Sequence, residues 1–88
     1  KITNVNHLKN TLKELYCSGK ICGINQNGIS ELLVLEKLNA TRNDKITNVN
    51  HLKNTLKELH CAGLTNGINQ NGISKLKVLN ILYLQVFS

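Results

Sequence analysis

An internal repeat of 44 residues constrains the fold of this chain more than any other feature. Residues 1–15 recur unchanged as residues 45–59, and residues 23–30 recur as residues 67–74. When the two halves are aligned, 29 of the 44 positions agree. Self-similarity at a fixed period indicates stacked structural units, each of which packs against its neighbours.

A shorter pattern divides each half into two units. It consists of Leu, two variable residues, a second Leu, one variable residue and then a small or apolar side chain. Its copies begin at Leu12, Leu35, Leu56 and Leu79. They are therefore offset by 23, 21 and 23 residues. We predict four short strands, near residues 12–17, 35–40, 56–61 and 79–84.

Side chains alternate across a strand, so each predicted strand should place two residues in the core. These inward positions are Leu15, Leu38, Leu59, Leu82, Cys17, Ala40, Cys61 and Leu84. Apolar residues between the strands, spaced by three, predict short helical or 3-10 turns and are Ile2, Val5, Leu8, Ile46, Val49 and Leu52. The Gly- and Asn-rich segments predict irregular turns that carry inward Ile24, Ile29, Ile68 and Ile73.

The four copies resemble the leucine-rich repeat family, whose unit is L-x-x-L-x-L-x-x-N over 20–29 residues. The resemblance covers residues 1–88 and implies a single array of two long repeats, or about four turns. It implies an α/β-type repeat solenoid with short parallel strands on its concave face. The convex face would carry mostly irregular or short helical or 3-10 turns. The turn sequences also resemble repeats from giant amoeba-infecting viruses.

The asparagine that ends the family pattern is kept only once. Asn43 holds the ninth position of the second copy, whereas the other copies have Lys20, Leu64 and Phe87 there. In the family this side chain bonds backbone groups after the strand, and neighbours form a ladder. The resemblance therefore implies an interrupted ladder here, with backbone capping passed to Asn25, Asn27, Asn69 and Asn71.

An all-α alternative fits the same residues. Val5, Leu8, Leu12 and Leu15 also lie at helical spacing, and Ser30 could be the N-cap of a second helix. Pairs of helices would then repeat every 44 residues, close to the length of known helical repeats. Hydrophobic periodicity leaves this alternative open, and the four in-phase copies favour the strand interpretation.

Composition limits the partners and the compartment. The formal net charge is +6, which keeps nucleic-acid binding as an alternative, but the lysines are scattered. No apolar run approaches the roughly 18 residues of a membrane span, so we expect no membrane partner. Three cysteines, an odd number, argue against a disulfide framework, although Cys22 lies five residues after Cys17 and a local disulfide between them is an alternative. With no visible signal peptide, the expectation is an intracellular protein with reduced cysteines.

No sequence motif indicates catalysis. The chain has no nucleophile elbow, no Gly-rich phosphate loop and no HExxH pattern. We therefore expect a non-enzymatic scaffold without cofactor or metal, which binds a protein partner through its concave sheet face. The outward positions predicted to bind the partner are Glu14, Tyr16, Lys37, Asn39, Glu58, His60, Ile81 and Tyr83. Opposite charges on Glu14, Lys37 and Glu58 should help to fix the strand register.

A second hypothesis is self-assembly into a homo-oligomer. The last strand is apolar on both faces and is predicted to leave an open edge, which is a template for pairing. The residues predicted to mediate self-association are Ile81, Leu84, Val86 and Phe87.

Overall fold

Four short strands form one parallel sheet. The computed structural model describes residues 2–63 and 66–84. Within them the strands are β1 (Glu14–Tyr16), β2 (Lys37–Asn39), β3 (Glu58–His60) and β4 (Ile81–Tyr83). They lie side by side in sequence order, and each lies inside one of the four stretches where the sequence predicts a strand. The chain therefore has an α/β, repeat-like architecture.

The register of the sheet follows the leucine pattern. Leu15, Leu38, Leu59 and Leu82 are successive partners across the four strands. Backbone hydrogen bonds continue the pairing one residue past β1, β2 and β3, for example from the Ala40 amide to the His60 carbonyl at 2.7 Å. Because equivalent residues stand side by side, every outward or inward position of the repeat forms a column across the sheet.

Short helical segments alternate between the strands. The 3-10 helices are Asn6–Leu8 and Asn50–Leu52, and the α-helices are α1 (Gln26–Ile29) and α2 (Gln70–Ile73). The 3-10 turns lie where the spacing by three predicts them. Asn25 and Asn69 are the N-caps of α1 and α2, and their side chains accept hydrogen bonds from the Gly28 and Gly72 amides. These two asparagines thus cap the backbone as expected.

The all-α alternative is wrong. The segment from Val5 to Leu15 makes one 3-10 turn and then pairs with β2 as a strand, so its helical spacing reflects a turn followed by a strand. Ser30 does not begin a helix but is the C-cap of α1. This helix is only four residues long because Asn and Gly are weak helix formers.

The core is an aliphatic column that runs behind the sheet. Its fully buried side chains include Ile29, Leu32, Leu35, Leu38, Ile46, Leu52, Leu56 and Leu59. Leu82 and Leu84, predicted to be buried, are instead 39% and 48% exposed. The cause is their position, because among the described residues no strand lies beyond β4 to cover them. Ile2 is exposed for the same reason at the other end of the column.

No helix within residues 2–63 and 66–84 is both long and apolar enough to cross a membrane.

Candidate interaction surface on the sheet

The sheet presents one side to solvent, and we call this side the outer face. It is formed by Glu14, Tyr16, Lys37, Asn39, Glu58, His60, Ile81 and Tyr83. The register divides these residues into two columns. One column is Glu14, Lys37, Glu58 and Ile81, and we call it the charged column after its first three members. The other is Tyr16, Asn39, His60 and Tyr83, and we call it the aromatic column because three of its four members carry rings. The structure thus brings together all eight residues that the sequence proposes for partner binding.

The charged column is linked by side-chain contacts. The Lys37 ammonium lies 3.4 Å from a Glu58 carboxylate oxygen, and His60 Nε2 lies 2.7 Å from the same oxygen. The hydrogen bond from His60, followed by the one from Lys37, lowers the pKa of Glu58. The pKa of Lys37 is raised, first by the Tyr16 hydroxyl and then by the Glu58 carboxylate. Lys37 therefore contacts both columns at the centre of the face, through Glu58 and Tyr16.

The aromatic column offers flat, accessible rings. The rings of His60 and Tyr83 stack with centroids 4.3 Å apart and an angle of 21° between their planes. The Lys37 ammonium lies 5.5 Å from the centroid of the Tyr16 ring, within range of a cation–π contact. Tyr16 and Tyr83 remain 61% and 51% exposed. The rings are thus oriented by neighbours while much of their surface stays free.

The N-terminal edge of the sheet forms a shallow depression with balanced charge. Three lysines and three glutamates line it, and they are Lys13, Lys37, Lys57, Glu14, Glu36 and Glu58. Lys13 and Glu36 approach within 3.9 Å. The positive net charge of the chain is therefore not concentrated on this part of the sheet.

The residues proposed for self-association fall into two groups. Ile81 and Leu84 are exposed, at 41% and 48%. Val86 and Phe87 lie outside the described residues.

Asn43 is buried and connects two units of the repeat. Its side-chain nitrogen donates to the Cys17 carbonyl at 3.0 Å. Its side-chain oxygen accepts from the Lys45 and Ile46 amides at 2.7 and 3.1 Å. Because the side chain is fully buried, the Cys17 carbonyl and the Ile46 amide, which belong to buried residues, have no ready substitute in water, whereas Lys45 is only partly buried.

The expected interruption of the asparagine ladder is wrong for the third unit, where Asn66 makes the same kind of contacts as Asn43. Asn66 donates to the Ala40 carbonyl at 2.9 Å and accepts from the Ile68 amide at 2.7 Å, as Asn43 does one unit earlier. Asn66 stands two positions later after its strand than Asn43 does. The nine-residue pattern has Leu64 at its ninth position, so it does not identify Asn66. The signal that could have found it is the Asn-Gly pair at residues 66–67.

The expectation of reduced cysteines is wrong for two of the three. Cys17 and Cys22 form a disulfide, with Cα atoms 5.5 Å apart. Cys22 stands at the position that Asn66 occupies in the second half, so the disulfide closes the same turn that Asn66 closes by hydrogen bonds. Cys61 is free and buried, and desolvation raises the pKa of its thiol to about 11.

Side-chain clamps on the side away from the sheet were missed by the sequence reasoning. Gln26 donates to the Asn48 carbonyl at 2.8 Å and accepts from the Thr47 and Asn48 amides. His51 Nε2 lies 3.0 Å from the Ile29 carbonyl oxygen, and partial desolvation lowers the pKa of this histidine. These clamps join the first half of the chain to the second. The sequence signal for these clamps was that the same polar residues recur unchanged in both halves. Exposed polar side chains that make no contacts have no need to be identical between repeats.

Among the described residues, no group of three or more His, Cys, Asp or Glu side chains is arranged to hold a metal ion. Comparison of the chain with models of known protein families, with curated proteins and with solved structures gave no match. The functional assignment therefore depends on the geometry of the outer face.

Proposed function

We propose that this chain is a leucine-rich repeat solenoid that binds a protein partner through the outer face of its sheet, which is the concave face in that architecture. Two features support the architecture. The strands are parallel, pair in sequence order and recur every 21 to 23 residues. An asparagine after the strand bonds the backbone of the preceding unit, at the buried Asn43 and again at the partly buried Asn66.

The aromatic column is the observation that carries the binding proposal. Tyr16 and Tyr83 expose more than half of their surface, and His60 stacks on Tyr83. Tyrosines bury large areas at a small entropic cost and dominate many protein interfaces. Because the rings stand on paired strands, their positions are fixed before a partner arrives, which reduces the entropy lost on binding.

The charge pattern favours a protein partner over nucleic acid. A nucleic-acid site needs several cations directed at phosphates. The outer face instead alternates Glu14, Lys37 and Glu58, and its edge depression carries equal numbers of lysines and glutamates. Such alternation suits a partner with mixed charges, and it would repel part of a phosphate backbone.

The proposal can be tested by site-specific photo-crosslinking in an extract of the source organism. A photoreactive residue replaces Asn39, which lies between Tyr16 and His60 on the aromatic column. The matched control replaces Asn54, which is exposed but lies outside the sheet. We expect a discrete protein adduct from position 39 only. Identical adducts from both positions, or a nucleic-acid adduct from position 39, would refute the proposal.

Once the adduct protein is identified, truncation of the aromatic rings gives a quantitative test. The double variant Tyr16→Ala and Tyr83→Ala should weaken binding by roughly 10²–10³-fold, because truncation of an aromatic hot-spot residue at an interface costs about 2 kcal/mol. The control is Leu33→Ala, which removes a 57% exposed apolar side chain outside the sheet and should leave affinity unchanged. Equal losses for the two variants would contradict a site on the outer face.

A further inference from the structure

The two ends of the core expose residues that are buried at the middle of the same repeat. Ile2 is 70% exposed, whereas its equivalent Ile46 is completely buried. At the opposite end Leu82 is 39% exposed, whereas its equivalent Leu38 is completely buried. We call the exposed side of residues 2–15 the front face and the exposed side of residues 70–84 the back face.

The junction between the two 44-residue halves shows what covers such faces. Across it, β2 pairs with β3 so that Leu38 stands opposite Leu59. Gln26 clamps the backbone of Thr47 and Asn48. This internal junction is thus a contact between a back face in the first half and a front face in the second.

Several of the groups that make the internal junction recur on the two exposed faces, although the Asn43 carboxamide, which accepts from the Lys45 and Ile46 amides across the junction, has no equivalent asparagine. Residues 1–15 are identical to residues 45–59, so the front face repeats its side of the junction without a change. On the back face, Gln70 and Leu82 stand at the positions of Gln26 and Leu38. Gln70 is exposed, and it projects from a helix capped in the same way as α1.

The front face also carries a histidine whose equivalent in the internal junction bonds the preceding unit. In the junction His51 reaches the Ile29 carbonyl of the preceding unit. Its equivalent on the front face, His7, is exposed. The equivalent of Ile29 on the back face is Ile73, whose carbonyl would stand opposite His7 of a second copy.

We propose that copies of this chain associate head to tail, with the back face of one copy covering the front face of the next. In this arrangement β4 pairs in parallel with β1 of the second copy, and Leu82 stands opposite its Leu15. The contact repeats the strand pairing and the leucine alignment of the internal junction, so the sheet and the core continue from copy to copy. A head-to-tail contact uses two different surfaces and therefore does not close at two subunits.

Within residues 81–84, three substitutions distinguish the proposed contact from the internal junction, and on the facing strand Tyr16 stands in place of His60. Lys37, Asn39 and Ala40 are replaced on the back face by Ile81, Tyr83 and Leu84. The ion pair of Lys37 with Glu58 is thereby lost. In its place Tyr83 would lie beside Tyr16 of the next copy, as it lies beside His60 within the chain. The aromatic column would thus continue from copy to copy through the assembly, whether or not the outer face also binds a different protein.

Complementary blocking variants test the proposal. Leu82→Lys places a charge on the back face, and Ile2→Lys places one on the front face. Both positions are exposed in the single chain, so each variant should fold. We expect the wild-type mass, measured by light scattering, to increase with concentration beyond a dimer, and each variant to stay monomeric. An equimolar mixture of the two variants should form a one-to-one dimer, because one intact face remains on each.

Two control variants add the same charge where the internal junction tolerates it. Ile81→Lys restores the residue found at Lys37, and Asn10→Lys changes a position whose equivalent, Asn54, is exposed. Both should associate as the wild-type chain does. A wild-type chain that stays monomeric at all concentrations would overturn the proposal, because the two faces would then not bind each other. A self-dimer of the Ile2→Lys variant would also overturn it, because that result requires back-to-back pairing.

Discussion

Replacement of Asn43 by alanine should destabilise the chain more than any other single truncation of a polar side chain. The substitution removes a fully buried carboxamide and leaves three backbone groups without their partners. These groups are the Cys17 carbonyl and the Lys45 and Ile46 amides. Ile46 is itself completely buried, so its amide cannot turn to water without opening the core.

The magnitude follows from the number of groups and their burial. A buried donor or acceptor left unpaired costs about 1–3 kcal/mol. The amide of Lys45 is only partly shielded, so we expect a total loss of about 3 kcal/mol in the free energy of unfolding. A domain of this length is stabilised by roughly 4–13 kcal/mol, so the loss is a large fraction of the whole.

Urea unfolding monitored by circular dichroism measures this loss. With a slope of about 1–2 kcal/mol per molar urea, the midpoint should fall by roughly 2 M. The matched control is Asn66→Ala, which removes two hydrogen bonds at a partly buried position and should cost about 1 kcal/mol. If Asn43→Ala lies within about 0.5 kcal/mol of the wild-type chain, or if both variants lose the same, the ladder does not have the role described.

Three further predictions follow from single groups. Cys61 should react with iodoacetamide roughly 100-fold more slowly in the folded chain than in urea at pH 8, because its raised pKa of about 11 leaves little thiolate; mass spectrometry over time checks this. The pKa of His51 is lowered by desolvation, so the unfolded chain binds more protons and stability should fall as pH drops below about 6.5. Unfolding midpoints from pH 8 to 5 should show this fall in the wild-type chain and in His7→Ala, and a smaller one in His51→Ala. Gly72→Ala should lower stability by about 2 kcal/mol in thermal unfolding, because the added Cβ would overlap the Thr47 carbonyl oxygen; an unchanged melting temperature would contradict the packing there.

The positions of the strands could be predicted because the repeat supplies independent copies of one pattern. A single Leu-x-x-Leu segment such as Leu12–Leu15 fits a helix as well as a strand. Four copies with offsets of 21 to 23 residues place equivalent leucines side by side, which the parallel sheet requires. The outward residues of the candidate site then follow from alternation along each strand.

Features that depend on closing each turn could not be predicted in the same way. Asn66 was missed because its unit makes the same hydrogen bonds two residues later after the strand. The disulfide of Cys17 and Cys22 was only an alternative in the sequence, because an odd number of cysteines favours free thiols. The low burial of Leu82 depends on which units cover it, and the pattern of one strand contains no information about its neighbours.

Both proposals depend on the register of the sheet, which aligns the aromatic column and defines the two end faces. The most direct test is solution NMR of the chain, with contacts assigned between the methyl groups of the strand leucines. The structure predicts contacts from Leu15 to Leu38 and from Leu38 to Leu59, residues separated by 23 and 21 positions. Continuous contacts between residues three or four apart through residues 5–15, without these long-range contacts, would contradict the parallel sheet and both proposals with it.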